Sequence, residues 1–245
     1  MRVDVTFTPA HTDELSFRGK TVVVIDVLRA TTTAATALQN GAREIIPVAT
    51  VESAVKISGN LFGDVTLLAG ERNGKRIEGF HLGNSPAEYS SERVRGKSII
   101  FSSTNGSQAM VHARYAREMV LCSFVNLSTV VRFLQTGSEE CSIVCAGQNG
   151  LFALEDAVCA GMLVQHIGAE RPDGLDRSDS AVAAETLWKS FGKNLPKLLK
   201  SCEHGRFLAG IGFGDDLVYC ASVDTVPVLP QLFGNVIRLR KENEK

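Results

Sequence analysis

A continuous apolar run at residues 22–25, rather than an alternating one, marks the first strong element of this chain. Such a run of valine and isoleucine is typical of a central parallel strand covered on both faces. The alanine-rich residues 34–40 predict a helix with threonines at its start. Between strand and helix lie Asp26, Arg29 and residues 31–33, at the sheet edge where parallel sheets bind ligands. An acid, a cation and several hydroxyls suit a metal ion beside an oxyanion and indicate an enzyme.

The same order of elements occurs twice along the chain. Strands are predicted at residues 20–26, 42–46 and 67–70, and again at residues 97–103, 116–120 and 142–145, with helices between them. Such alternation predicts βαβ units, right-handed crossovers and a parallel sheet. We therefore predict an α/β fold with three layers, α/β/α, and two similar βαβαβ halves, residues 1–93 and 94–245, related by a pseudo-twofold axis. The alternative is that the two segments resemble each other only because this unit is common.

Further elements flank the two predicted repeats. The N-terminal residues 1–7 predict a strand, and residues 157–168, 180–191 and 195–201 predict helices. Two short strands are predicted near the C-terminus, at residues 217–220 and 236–239.

The composition narrows the range of functions. With 44% hydrophobic residues, 22% charged residues and a net charge of −1, the chain offers no excess of positive charge for nucleic acid or a membrane surface. It contains no stretch of about 18 apolar residues, so we expect a cytoplasmic protein without membrane contacts. The six cysteines form no Cys-x-x-Cys pair, so we expect buried thiols and neither a zinc nor a redox site.

Several phosphate-handling motifs are absent from the sequence. It has no Gly-x-x-x-x-Gly-Lys-Ser/Thr loop and no Gly-x-Ser-x-Gly nucleophile elbow. No cysteine is followed by an arginine six positions later, which a phosphatase loop with a cysteine nucleophile requires. Leu28, two positions after Asp26, excludes the paired aspartates of haloacid-dehalogenase-type enzymes. Candidate chemistry is therefore confined to four clusters at predicted strand ends.

Two of these clusters occupy corresponding positions in the two halves. The first cluster consists of Asp26, Arg29, Thr31 and Thr32. N–H groups at the start of the helix that follows attract an anion, and Arg29 is able to hold that anion with two hydrogen bonds. The alternative is that Asp26 caps the turn and Arg29 is a surface cation. In the second half, the hydroxyls and amides of residues 103–107 suit phosphate or carboxylate oxygens. Its alternative is an ordinary Asn-Gly turn that caps a helix.

A third cluster follows the last strand of the first half. Glu71, Arg72 and Asn84 are its functional candidates. Ser85 begins a capping box with proline at the next position, so its main predicted role is structural.

The fourth cluster follows the last strand of the second half. Cys145 ends that strand, and Asp156 lies in the first turn of the next helix. We expect Asp156 to meet Asp26 and Glu71 around Mg²⁺, which prefers carboxylates, water and substrate oxygens. Asp215 and Asp216 are weaker candidates of the same kind.

Together these motifs resemble the 2-phosphosulfolactate phosphatase family. The resemblance lies in residues 24–33, 70–72, 83–86, 104–106, 145–147 and 154–156, and it continues to residues 224–227. Ser103 departs from the family pattern, where a threonine is expected, but keeps the hydroxyl. The resemblance implies a magnesium-dependent hydrolase that releases phosphate from 2-phosphosulfolactate, leaving 3-sulfolactate on the route to coenzyme M.

Roles for individual residues follow from this chemistry. We assign metal binding or base catalysis to Asp26, Glu71 and Asp156, and oxyanion binding to Arg29 and Arg72. The substrate-binding candidates are Thr31, Thr32, Arg72, Asn84, Ser85, Ser103, Thr104, Asn105, Gly106 and Cys145.

Other interpretations stay open at this point. The substrate is either a phosphorylated sulfonate or another phosphorylated hydroxy acid, and a non-catalytic anion-binding module is a further alternative. The sequence does not decide between direct attack by water and a phosphorylated enzyme, nor between a monomer and a homodimer.

Overall fold

The computed structural model describes residues 1–60, 65–137, 139–171 and 174–240. The strands in these ranges are β1 (Arg2–Thr6), β2 (Thr21–Ile25), β3 (Glu44–Pro47), β4 (Thr66–Arg72), β5 (Lys75–Arg76), β6 (Ser98–Ser102), β7 (Glu118–Cys122), β8 (Glu140–Cys145), β9 (Asp176–Arg177), β10 (Pro230–Phe233) and β11 (Val236–Leu239). The α-helices are α1 (Ala30–Gln39), α2 (Val51–Asn60), α3 (Ser91–Val94), α4 (Gly106–His112), α5 (Leu127–Gln135), α6 (Leu154–Ala169), α7 (Asp179–Phe191), α8 (Leu195–Ser201), α9 (Glu203–Gly210) and α10 (Gly214–Cys220).

The strands form a mainly parallel sheet flanked by helices, which confirms the predicted α/β class. Their order is β5-β4-β6-β3-β11-β10-β7-β2-β8-β1-β9. One parallel block contains β4, β6 and β3, and the other contains β7, β2, β8, β1 and β9. The antiparallel hairpin of β10 and β11 joins the two blocks. The sheet is continuous, and one apolar core contacts strands of both blocks.

The two predicted repeats exchange their first strands. β2 lies between β7 and β8 of the second repeat, whereas β6 lies between β4 and β3 of the first. The order β4-β6-β3 thus corresponds to the order β8-β2-β7. The boundary predicted between residues 93 and 94 therefore does not divide the sheet into two separate sheets. The pseudo-twofold axis itself stays a prediction.

Helix α1 packs between the two parallel blocks. Its residues Ala34 and Leu38 share one apolar core with Val24 of β2 and Phe101 of β6. Every residue of β2 is buried, as the continuous apolar run at residues 22–25 predicted, and every residue of β6 is buried as well. The arrangement holds the ends of β2 and β6 close together, and the candidate site lies there.

One predicted element was wrong. Residues 217–220 belong to helix α10 and not to a strand, although valine and tyrosine favour strands. Asp215 and Asp216 lie in the first helical turn, where the helix dipole stabilises acids. Leu217 and Cys220 are buried while Val218 is exposed, so the helical spacing buries the apolar side chains that the core needs.

All six cysteines are free and buried, as expected from the sequence. Across the described ranges, no helix is both long enough and apolar enough to cross a membrane.

Helices α6 and α7 approach each other closely at Gly161. A Cβ atom at this position would lie 1.9 Å from the carbonyl oxygen of Ala184. Such overlap requires the two helices to separate, because the obstacle is backbone.

We predict that Gly161→Ala destabilises the protein by about 1–3 kcal/mol, as over-packing does in other cores. Gly168→Ala is the matched control on the same helix, because its Cβ would meet only Leu175 Cδ2 at 3.7 Å. That control should be neutral or stabilising by up to about 1 kcal/mol, since alanine favours helices. Urea unfolding of both variants measures the difference, and equal stabilities would contradict the close packing of α6 on α7.

Candidate active site

The loops after β2, β4, β6 and β8 open onto one cavity of about 170 Å³. Its wall contains six of the residues predicted from the sequence, namely Asp26, Arg29, Glu71, Asn84, Thr104 and Asn105. The remaining wall residues are Leu28, Asn73, Gly74, Gln148, Asn149, His204, Phe207 and Leu208. Both parallel blocks therefore contribute to a single site.

Asp26 is a buried carboxylate at the end of β2. Its Oδ1 accepts a hydrogen bond from the Ala30 N–H at 3.1 Å. Gly106 makes room for its other oxygen, because a Cβ at position 106 would lie 2.3 Å from Oδ2. Burial raises the pKa of Asp26 to about 6, and the neighbouring Glu71 adds to the rise. The charge of His204 and the Ala30 N–H act in the opposite direction on this pKa.

Glu71 connects the loop after β4 to the loop after β6. Its Oε2 accepts from the Gly74 N–H at 2.9 Å, and its Oε1 accepts from the Thr104 N–H at 2.8 Å. Gly70 makes this connection feasible, because any Cβ there would lie 1.9 Å from the carbonyl oxygen of Ser102. The two strands are thus close enough for one carboxylate to bind both loops.

Arg29 is buried and is therefore not the surface cation of the alternative interpretation. Its Nη1 donates to Asp216 Oδ2 at 2.6 Å, and its Nη2 donates to the Gly74 carbonyl at 2.7 Å. The guanidinium also stacks 4.2 Å above the ring centre of Phe213. Arg29 is also one of the residues that line the cavity. Helix α10, whose residues 217–220 were predicted as a strand, carries Asp216, the acid that neutralises Arg29.

Ser85 has a different partner from the one predicted. It precedes a 3-10 helix, but its side chain makes no capping hydrogen bond. Its hydroxyl donates instead to Asp216 Oδ1 at 2.6 Å. Asp216 therefore holds both Arg29 and Ser85, and the weakest acidic candidate of the sequence has a central structural position.

Asp156 lies behind the cavity wall. Its Oδ1 accepts from the Val27 N–H at 2.9 Å, and its Oδ2 accepts from the Gly147 N–H at 3.1 Å. Burial holds the pKa of Asp156 well above its ordinary value, with further contributions from the charges of Asp26 and Glu155. Its two oxygens thus join the loops after β2 and β8. In the described ranges, no group of three or more His, Cys, Asp or Glu side chains is arranged to hold a metal ion.

The predicted row of substrate-binding hydroxyls is used for internal hydrogen bonds. Thr31 Oγ1 contacts the Cys122 carbonyl at 2.8 Å, and Thr32 Oγ1 donates to the Val27 carbonyl at 2.9 Å. Ser103 Oγ accepts from the N–H of Ser107 at 2.8 Å. None of Thr31, Thr32 and Ser103 lies on the cavity wall. These side chains fix the starts of α1 and α4.

Two other candidates also point away from the cavity wall. Arg72 Nη2 donates to Ser102 Oγ at 2.9 Å, so this guanidinium braces β4 against β6. Cys145 is buried within β8, and burial raises the pKa of its thiol well above the ordinary value. A neutral, enclosed thiol is a poor nucleophile.

Two polar atoms on the cavity wall have no hydrogen-bond partner among the described residues. They are Asn84 Oδ1 and Thr104 Oγ1, and both are buried. Leaving a buried polar atom unpaired costs about 1–3 kcal/mol. Because both residues line the cavity, a ligand bound there is the candidate for the missing partners.

Sequence reasoning missed His204, which lines the cavity from the first turn of α9. Its Nδ1 lies 3.4 Å from Glu155 Oε1. Glu155 was visible beside Asp156 as a second acid at a helix start, but His204 lies 49 positions further along the chain. No local pattern marks it, because its relation to Asp26 arises only when α9 folds over the strand ends.

Comparison with known proteins identifies the family of this chain. A family model described as 2-phosphosulpholactate phosphatase matches residues 6–235. A protein named probable 2-phosphosulfolactate phosphatase from Thermotoga maritima is 39% identical over 239 residues, which cover 98% of this chain and 99% of that protein. Proteins of the same name from Caldanaerobacter subterraneus and Gloeobacter violaceus are 39% and 41% identical, over 94% and 90% of this chain and 95% and 92% of their own lengths. The chain therefore belongs to the 2-phosphosulpholactate phosphatase family.

Proposed function

We propose that this protein is a magnesium-dependent phosphatase that hydrolyses 2-phosphosulfolactate to 3-sulfolactate and phosphate. The observation that carries this proposal is the cavity in which Asp26, Glu71 and Arg29 meet two unpartnered polar atoms. The names of the relatives support the choice of substrate. Phosphate, sulfonate and carboxylate groups on one small molecule require many donors in a small space, and the cavity offers them.

The charges on the cavity wall favour a divalent cation as cofactor. Asp26 and Glu71 are both acidic, and the charge of Arg29 is already compensated by Asp216. A substrate with several negative charges would be repelled by this wall unless a cation lay between them. Magnesium typically binds one or two carboxylates together with water and substrate phosphate oxygens.

The oxygen donors of the cavity fit such an ion. Asp26 and Glu71 would hold it, and Asn84 Oδ1 is a buried carbonyl oxygen that lacks a partner among the described residues. Asp156 does not fit this ligand set, since it does not line the cavity and its oxygens hold the loops after β2 and β8. When bound, the ion supplies charge neutralisation and polarises a phosphoryl oxygen.

The protein's own donors orient the phosphoryl group. Arg29 uses two of its five N–H donors on Asp216 and Gly74 and lines the cavity, so its other N–H groups are the donors proposed for phosphate oxygens. Thr104 Oγ1 has no partner in the described structure and gains one from the substrate. Phosphoryl transfer depends mainly on such positioning and charge stabilisation, because its transition state is loose.

The decisive measurement is phosphate release from a panel of substrates with added Mg²⁺. We expect kcat/KM to be highest for 2-phosphosulfolactate, lower for 2-phospholactate, which lacks the sulfonate, and lost in each case after chelation. A preference for 2-phospholactate would assign the site to another phosphorylated hydroxy acid. No phosphate release from either compound would indicate an anion-binding module without activity, and full activity after exhaustive chelation would remove the metal.

The raised pKa of Asp26 predicts a pH-dependent cost in stability. A folded-state pKa of about 6 against an ordinary 3.8 means that the folded protein binds this proton more tightly than the unfolded chain does. Stability contributed by this proton is therefore lost as the pH rises from about 4 to about 6.

In chelator, we expect Asp26→Asn to be more stable than the wild type at pH 7, by at most about 3 kcal/mol. The difference should shrink below pH 4, and adding Mg²⁺ should stabilise the wild type more than the variant. Urea unfolding between pH 4 and pH 7 measures both effects. A difference that does not change with pH would exclude the raised pKa.

Replacing Arg29 by lysine should impair both activity and stability. Lysine keeps the charge but cannot bind Asp216, Gly74 and a phosphate oxygen at the same time with a planar fork. We expect the transition state to lose about 2–4 kcal/mol of stabilisation, which is measured as a lower kcat/KM. The unfolding free energy should fall by about 1.5–3 kcal/mol, the value of a hydrogen bond to a charged group.

Arg43→Lys is the matched control, because Arg43 forms an exposed ion pair with Glu44. Its stability should change by less than about 1 kcal/mol. Normal kinetics in Arg29→Lys would restrict Arg29 to a structural role.

A further inference from the structure

His204 is an ionisable side chain on the cavity wall that the proposed function has not yet used. The ring is largely buried, and Glu155, which is more deeply buried, lies 3.4 Å from its Nδ1. Because the two nitrogens of an imidazole lie on opposite sides of the ring, Nε2 is directed away from Glu155. His204 is one of the residues that line the cavity. A carboxylate beside one nitrogen, with the other left for a reacting group, is a common arrangement for a proton-transferring histidine.

Hydrolysis of an alkyl phosphate needs a proton donor for the leaving oxygen. In the described structure, the ionisable side chains on the cavity wall are those of Asp26, Arg29, Glu71 and His204. A carboxylate that holds a cation carries no proton, which excludes Asp26 and Glu71 if they bind magnesium. Arginine does not release its proton in proteins. His204 is the group that remains.

We propose that His204 is the catalytic acid that protonates the leaving alkoxide, and that Glu155 is the residue that positions its ring. This role rests on the proposed phosphatase function. Water forms a bond to phosphorus while the bond between phosphorus and the ester oxygen breaks. The electron pair of that bond stays on the ester oxygen, which takes a proton from Nε2 of His204. The phosphate retains both protons of the water molecule, and it returns one of them to His204 before it leaves.

Glu155 acts through His204 and not on the substrate. It belongs to the first turn of α6, and Asp156 beside it holds the loops after β2 and β8. Helix α6 therefore carries both Asp156, which holds the loop that follows Asp26, and the carboxylate that orients the imidazole. Without Glu155 the imidazole ring is expected to be misdirected. The loss of rate should then depend on the leaving group in the same way as the loss caused by removing His204.

The test compares leaving groups in the intact protein with Mg²⁺. In 4-nitrophenyl phosphate the leaving oxygen is stable without a proton, whereas in 2-phosphosulfolactate or glycerol 2-phosphate it is not. His204→Asn retains an amide that is able to reach Glu155 but lacks the proton of Nε2. We expect it to lower kcat for the alkyl phosphates by about 10²–10⁴-fold, and to leave the aryl phosphate nearly unchanged. Glu155→Gln should show a smaller loss that is again confined to the alkyl phosphates.

The matched control is a second histidine and glutamate pair away from the cavity. His112 Nδ1 lies 3.7 Å from Glu14 Oε1, and His112→Asn should not alter the ratio of the two rates. Equal losses on alkyl and aryl phosphates in His204→Asn, or no loss on either, would overturn the role of His204. Thermal melts of each variant identify unfolding, in which case Glu155→Gln gives the deciding ratio.

Failure of the substrate assignment is distinguishable from failure of this role. If the wild type hydrolyses glycerol 2-phosphate but not 2-phosphosulfolactate, the substrate is wrong and the comparison of leaving groups still decides on His204. A wild type that hydrolyses no phosphomonoester would overturn the proposed function and the role of His204 with it.

Discussion

The buried ion pair between Arg29 and Asp216 is the interaction on which the architecture of the site depends. Burying two charges costs several kcal/mol per ion, and the pair is retained only if the remaining hydrogen bonds are satisfied. Here the Gly74 carbonyl, the Ser85 hydroxyl and the Phe213 ring complete it. The pair joins the loop after β2, the turn after β4 and helix α10. Removal of either partner would leave a buried charge without compensation.

The exchange of first strands explains how distant segments form one cavity. Because β2 and β6 each lie within the block of the other repeat, the loops that follow them converge around helix α1. Gly106 then lies against Asp26, and Glu71 binds the N–H of Thr104. Each half by itself would carry only part of the wall. The site is therefore a property of the intertwined chain and not of one βαβαβ unit.

Several carboxylates lie close together in the site. Burial raises the pKa of Asp26, and the charges of the nearby Glu71 and Glu155 add to the rise. Proteins tolerate such crowding where function requires it, since stability alone would remove it. Backbone N–H groups stabilise Asp26, Glu71 and Asp156 from behind. The unpaired Asn84 Oδ1 and Thr104 Oγ1 complete a wall that is organised for a ligand.

The sequence by itself determined the α/β class, the parallel strands, the four clusters at their ends and the family. These features are local, because a continuous apolar run specifies burial on both faces and the residue after a strand lies at the sheet edge. Only the tertiary structure decided which candidates reach the cavity. Hydroxyls such as that of Thr31 bind nearby carbonyls, and Asp156 binds backbone N–H groups. The order of strands, the partner of Arg29 and the position of His204 depend on contacts between residues far apart in sequence, which a local pattern does not encode.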